Sequence, residues 1–507
     1  MLYSNHKSDT MTKHLISTLF FIFFLGSCTP VPASPTSTPV ATVSPTRTPR
    51  PTQTAIPTAT PYPQLQTEGP YLLFTYDNKN FTILDADGSG RKQFQLPNDG
   101  YVWELEKAVS PDGKWLAYFT GSTEEPYDLA LNILNLLDGS SKLIADLIAP
   151  NFPENLLPVI ETTQISEYDT DCFNDMACQL EVVERAFKFG IRNITWSPNS
   201  QEFAFAAQID GPSSDIYIHR VGDNSRRRLT NDLENIAGIE WAPNGEKILY
   251  QNSLPGRVYV NMTLQIADPQ SELIQDPKSI YGGAFWSSYG WINENSYLIR
   301  VGGDGGPQNH HIQFIDLNGR QKILWPYSAE SVAIDSQNQI IILSTSPFGI
   351  EGWQPEPEAG VYFVSMDAKF TFISNETYSF FENQDPFNVY FALDDNDQLV
   401  SIGLNGLITP LERHATLSSP PRVSPNGNWV FITSDKGGEL YSNSLQLIRS
   451  WDISPTITLW SADSTGALLY TYRKLYYLSI PDGEPLLIDS CDPKEKECDH
   501  FSSVWLP

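Results

Sequence analysis

Between Tyr71 and Leu487 the chain repeats one alternation of polar and apolar positions: a short polar turn, a near-continuous apolar run, a loop, a second apolar run and a Gly-containing turn. Val109-Ser-Pro-Asp-Gly-Lys-Trp-Leu-Ala-Tyr-Phe119 returns as Trp196-Ser-Pro-Asn-Ser-Gln-Glu-Phe-Ala-Phe-Ala206. It comes back as Trp241-Ala-Pro-Asn-Gly-Glu-Lys-Ile-Leu-Tyr250 and as Val423-Ser-Pro-Asn-Gly-Asn-Trp-Val-Phe-Ile432. Apolar runs without polar interruption read as strands covered on both faces. Recurring every ~40 to 50 residues, they predict the blades of a β-propeller, each needing neighbours to bury its faces. Candidate second strands start near Tyr71, Trp115, Glu202, Lys247, Tyr297, Gln339, Asn388, Trp429 and Ala467. The run near Asn388 is the faintest. An all-β propeller of four-stranded blades is therefore expected, with eight blades in a range of seven to nine. The first repeat lacks an inner strand, and Phe501-Ser-Ser-Val-Trp-Leu-Pro507 supplies one. Pairing this C-terminal strand with the first blade closes the ring and removes two open sheet edges.

In such a blade the first-to-second and third-to-fourth connections share one rim, and the remaining connections share the other. Ser110-Pro-Asp-Gly113 and Asp85-Ala-Asp-Gly-Ser-Gly90 suit tight turns of the first rim. The second of these resembles the start of a calcium loop, but Leu96 stands where the bidentate Glu is required, so a hairpin is expected. The other rim is assigned the long segments 120–128, 208–214, 301–310 and 344–360, and an insert at 148–190. Long loops on one side of a rigid scaffold are where binding concentrates. The candidate binding face comprises Glu124, Glu125, Tyr127, Asp304, His310, Phe348, Glu351, Trp353, Glu356 and Glu358. An aromatic ring among carboxylates suits a peptide, a sugar or a cation. Within the insert, Leu180, Val183 and Phe187 share one helical face, while Glu181/Arg185 and Glu184/Lys188 sit four apart in the favourable order.

The N-terminus changes the setting. Lys13 and His14 precede an apolar or small-residue run from Leu15 to Gly26, too short to span a bilayer, which takes about 20 residues. Leu25-Gly26-Ser27-Cys28 resembles the bacterial lipoprotein box, so residues 1–27 are expected to be a signal peptide and Cys28 the lipidated new terminus. Residues 28–63 then form a linker of Pro, Thr, Ser, Ala and Val, extended at about 3.1 Å per residue, and 64–507 form the propeller. Export agrees with the remaining cysteines, Cys172, Cys178, Cys491 and Cys498. They allow three pairings, of which the two short-range ones are the simplest. Their spacings exceed those of ordinary zinc sites.

The chain carries a formal net charge of −28, although residues 1–63 are slightly basic, so the acidity belongs to the propeller. That field repels nucleic acid and anionic lipid surfaces, leaving the anchor as the expected membrane contact. There is no G-x-S-x-G elbow, H-E-x-x-H, phosphate loop or G-x-G-x-x-G. His310 and His311 adjoin at a strand start and so point to opposite faces. No cofactor, metal or catalytic residue is expected, and the chain is expected to act as a monomer.

The Ser-Pro-Asp/Asn-Gly turn, with Ile216-Tyr-Ile-His219, Arg228-Leu-Thr230 and Leu84-Asp-Ala-Asp-Gly-Ser-Gly-Arg91, resembles the propeller repeats of the TolB family. That resemblance covers nearly all of 70–507. It implies a periplasmic or surface protein that binds other proteins, and the motif is nearly silent on activity. A Thr/Pro tract stands where TolB proteins carry a small α/β domain, so their Tol–Pal partnership is not carried over. The expected function is a non-catalytic, lipid-anchored, extracytoplasmic propeller that binds a protein or peptide. The alternatives are a carbohydrate-binding or glycan-cleaving propeller and a structural or sensory envelope spacer.

Overall fold

The computed structural model describes residues 65, 69–86, 88–122, 128–149, 191–210, 213–222, 225–231, 235–253, 263–271, 274, 278–282, 285–301, 311–345, 358–381, 389–415, 419–492, 498 and 501–507. Their strands form nine antiparallel sheets, eight of four strands and one of three, all within the compact unit Pro57–Pro507. Each sheet is one blade, and blades 3 to 9 are entered at the inner strand and left at the outer one. The second strands are Tyr71–Thr75, Trp115–Thr120, Glu202–Ala207, Ile248–Ser253, Ser296–Val301, Ile340–Thr345, Val389–Leu393, Trp429–Ser434 and Gly466–Thr471. All nine apolar runs of the sequence are therefore second strands, and the propeller has nine blades, the top of the expected range. The run near Asn388 looked faint because its blade has an inner strand of two residues, Ser379–Phe380, and no Ser-Pro-Asn-Gly turn after it.

Burial explains the unalternating runs. Every residue of Glu202–Ala207 is buried, because the sheet is covered on both faces. Each blade-to-blade interface is filled by apolar side chains, as where Leu249 and Leu264 of blade 4 meet Tyr297 and Ile299 of blade 5. The last interface joins Leu72, Phe74 and Leu84 of blade 1 to Leu468 and Leu475 of blade 9. Ser502–Leu506 pairs with Tyr71–Thr75, placing Val504 opposite Leu73, so the last strand is the inner strand of blade 1. The ring is closed by hydrogen bonds as well as by packing.

Blade 2 departs from the plan. Its inner position holds a short helix, Leu105–Ala108, flanked by the bridges Tyr101↔Phe119 and Val109↔Leu116. Helical spacing buries Leu105 and Ala108 together, whereas strict alternation from Leu105 would carry Lys107 inward.

The recurring turn is held by its serine. Ser110 Oγ donates to Asp112 Oδ1 at 2.7 Å and accepts from the Trp115 amide at 3.0 Å. Ser424 repeats this with Asn426 and Trp429 at 2.8 and 3.0 Å. Neighbouring turns are also joined. The Asp112 amide donates to Ser200 Oγ at 2.9 Å, and the Asn426 amide to Ser464 Oγ at 3.0 Å. The indoles of Trp196 and Trp460 reach the same preceding blades, donating to Ala108 O and Arg422 O, both at 3.0 Å.

Candidate functional site

The rim opposite these turns receives the second-to-third-strand connections. Strand ends fix where the long ones begin: Thr120 pairs Ala130, Ala207 pairs Asp215, Val301 pairs His311 and Thr345 pairs Gly360. Two of these feet are tightly built. Gly121 has φ +87, and a Cβ there would lie 2.3 Å from Asp128 O, while the Ser122 amide donates to the Asp128 carboxylate. Gly360 has φ +143 with Ser374 O 2.0 Å from its would-be Cβ, and its amide donates to Thr345 Oγ1 at 3.2 Å. Only glycine fits either foot. At the start of the insert, Gln208 Oε1 accepts the Ala149 amide at 2.9 Å and the Gln208 amide donates to Leu147 O at 2.8 Å.

Where the blade 2 helix meets the inner strand of blade 3, a shallow depression is lined by Trp103, Glu104, Lys107, Arg192 and Asn193. The Arg192 guanidinium lies 4.3 Å from the centre of the Trp103 ring, which is 45% exposed, and hydrogen-bonds Tyr101. Burial raises the Tyr101 phenol pKa, and the Arg192 charge opposes that rise. Lys107 pairs with Glu104 at 2.7 Å across an exposed helical turn, worth about 0–1 kcal/mol. Asn193 Nδ2 donates to Ala237 O of blade 4 at 3.2 Å. Further along that inner strand, half-buried Glu240 accepts from Tyr297 Oη at 3.0 Å. Burial raises its carboxyl pKa, against the opposing pull of Tyr297, Lys107 and Trp291. Glu104 and the Arg192 guanidinium thus flank the exposed indole. Among the described residues no group of three or more His, Cys, Asp or Glu is placed to hold a metal ion.

Of the residues chosen from the sequence, Glu358 is described. It is exposed, and its carbonyl accepts from Tyr362 Oη at 2.7 Å. Burial, then the Glu358 charge, raises the Tyr362 pKa. Glu124, Glu125, Tyr127, Asp304, His310, Phe348, Glu351, Trp353 and Glu356 lie outside the described residues, as do Cys28, Cys172 and Cys178. Cys491 and Cys498 form a disulfide with a Cα–Cα distance of 5.9 Å. The depression went unread in the sequence. Its one local signal is Trp103 in an acidic stretch, and Arg192 joins it only across blades. Loop length is also less regular than the repeat suggested. In blades 7, 8 and 9 the second-to-third-strand connections are the short 394–397, 435–436 and 472–473, whereas 268–277 on the turn rim is long. The long second-to-third-strand connections are thus confined to blades 2 to 6.

No family model and no curated protein matches the chain. Solved structures resemble it. TolB from Acinetobacter baumannii, a β-propeller, aligns over 59% of this chain and 62% of its own at 16% identity, with a TM-score of 0.30. A eukaryotic initiation factor aligns over 87% and 99% of the two chains at 10% identity, with a TM-score of 0.49. An oligogalacturonate lyase in complex with manganese aligns over 59% and 87% at 12% identity, with a TM-score of 0.32. The match spans less than two thirds of the TolB chain. What each of these proteins binds or cleaves is a property of that protein.

Proposed function

We propose that this chain is a lipid-anchored extracytoplasmic propeller that binds a protein or peptide on the rim of blades 2 to 6. The observation that carries this reading is the convergence of their five second-to-third-strand connections on one rim, beside the exposed Trp103–Arg192 pair. Loops held by rigid strand ends present side chains without ordering the whole surface on binding. Cys28 supplies the anchor and residues 29–63 the reach. Among the described residues no helix is long and apolar enough to cross a membrane. The test is capture from envelope extracts by the tethered mature protein. Deleting 150–190 or changing Trp353→Ala abolishes capture, and undiminished capture by both variants rejects this rim. Cys28→Ser loses incorporation of labelled palmitate.

A carbohydrate-binding or glycan-cleaving propeller is the second reading, favoured by Trp353 and the carboxylates Glu351, Glu356 and Glu358 in one connection. A glycan array with a hydrolysis screen separates the two: a bound or cleaved sugar selects it, and neither removes it. A spacer without a ligand predicts no capture and no sugar.

A further inference from the structure

The outer strands carry a staple at one register position. Lys92, Arg227, Lys322 and Arg449 lie opposite Ile83, Ile218, Phe314 and Leu440. Each of these partners is third from the end of its own strand, in Asn80–Asp85, Asp215–Arg220, His311–Asp316 and Gly437–Ser442. Each basic side chain crosses to the next blade and donates to a carbonyl of that blade's outer hairpin. Lys92 Nζ reaches Leu136 O at 2.8 Å, Arg227 reaches Ser271 O at 2.9 Å, Lys322 Nζ reaches Met366 O at 3.2 Å and Arg449 reaches Asp482 O at 2.6 Å. A charged donor there satisfies a carbonyl beyond the strand ladder and ties two blades at their periphery.

Two of the remaining interfaces close without a staple. Blade 6 has Thr371 at this register and blade 9 has Leu486. In both, an isoleucine two residues later packs on a glycine of the next hairpin: Ile373 on Gly406, and Ile488 on Gly88. The interface between blades 7 and 8 has neither device. Thr409 holds the staple register, opposite Ser401. Leu411 follows two residues on, and it meets a hairpin in which Leu445, at φ 58, replaces glycine. A leucine in the left-handed region is strained by about 1–3 kcal/mol.

The result is an open cleft of about 820 Å³ whose lining includes Leu404, Leu407, Leu411, Leu445 and Leu447. Leu407 is 64% exposed. Arg413, also in the lining, is held by Glu439 of blade 8 at 2.8 Å. Among the described residues, no basic side chain of Ile408–His414 reaches the 443–446 hairpin, whereas its counterparts in blades 2, 4, 6 and 9 each accept one. Ile408–His414 is also an outer edge strand, interrupted at Pro410, which has no N–H to donate to an added chain.

We propose that this cleft binds an extended peptide through a lysine or arginine, which supplies in trans the staple that Thr409 omits. The cationic head meets the hairpin carbonyls of blade 8, and the aliphatic stem lies along the leucines. Charge favours this occupant: the chain carries a net −28, which attracts a basic peptide and opposes a second copy of itself. The site is separate from the long-loop rim and stands whether or not that rim binds a partner.

The test uses fluorescence anisotropy with the full chain and the labelled peptide acetyl-Val-Leu-Lys-Leu-Val-amide. The lysine peptide binds saturably, and replacing its lysine by glutamate or norleucine weakens binding about tenfold or more. Thr409→Lys restores the staple in cis and lowers affinity for the lysine peptide by a similar factor of about ten. Its melting temperature stays level or rises. Thr409→Ser, the conservative control, binds as the unaltered protein does. Equal binding of all three peptides, undiminished binding by a folded Thr409→Lys chain, or no saturable binding overturns the proposal. Dimerisation that blocks the peptide assigns the cleft to a second copy and overturns it as well.

Discussion

Ser110, Ser197, Ser424 and Ser461 each hold a turn by donating to the acid or amide two residues on and receiving the amide five residues on. That role is readable in the sequence because all its partners are local. The role of Ser464 is not, since its hydroxyl serves Asn426 of the preceding blade. Ser464 sits at φ 62, where L-residues are strained by about 1–2 kcal/mol and glycine is not. Ser464→Ala keeps the strain and orphans the Asn426 amide, lowering stability by about 1–2 kcal/mol in urea melts. Ser464→Gly loses the same bond but relieves the backbone, so it lowers stability by less. Glu240 gives a pH signature. Its raised pKa means the native state holds the proton more tightly than the unfolded chain. Stability therefore falls as pH rises from the ordinary glutamate value through the raised one. Glu240→Gln removes that fall. Melts across pH 4 to 8 are expected to show the variant gaining on the parent through this window and exceeding it at neutral pH.

At the scale of elements, the apolar runs announced every second strand, because a strand covered on both faces needs no polar partner along its length. Inner strands were harder to read. In blade 2 the chain from Trp103 to Val109 makes a helical turn, and in blade 7 the inner strand shrinks to Ser379–Phe380. Both choices answer to what the neighbouring blades bury. The closing strand Ser502–Leu506 follows the Cys491–Cys498 disulfide directly, so the bridge restrains the approach to ring closure. Removing 501–507 exposes the inner edge of Tyr71–Thr75, and gel filtration is expected to show aggregate in place of monomer. Replacing both Cys491 and Cys498 by serine lowers stability by about 2–4 kcal/mol in the same urea melts, leaving the blade pattern in far-UV spectra unchanged.

For the whole molecule, charge and ring geometry act together. The acidity of the chain, a net −28 that belongs to the propeller, steers cationic partners, and this steering is screened over a Debye length of about 10 Å at 0.1 M salt. Association of the lysine peptide is expected to slow steeply between low and high salt, with dissociation changing less; stopped-flow rates check this. Blade count belongs to this scale too, because Val389–Leu393 becomes a blade through its packing with Val423, Val430 and Ile432 of blade 8. The amino-acid order alone settled the propeller, its repeat, its turn chemistry and the strand that shuts it, since each rests on periodicity or on bonds within a few residues. The folded ring was needed to count nine blades, to bring Arg192 over Trp103 and to set the Asp112 amide on Ser200, 88 positions away. It was also needed to reveal that blades 7 and 8 stay unstapled at Thr409. Those pairings join different repeats, and no local pattern records what each repeat finds at the boundary.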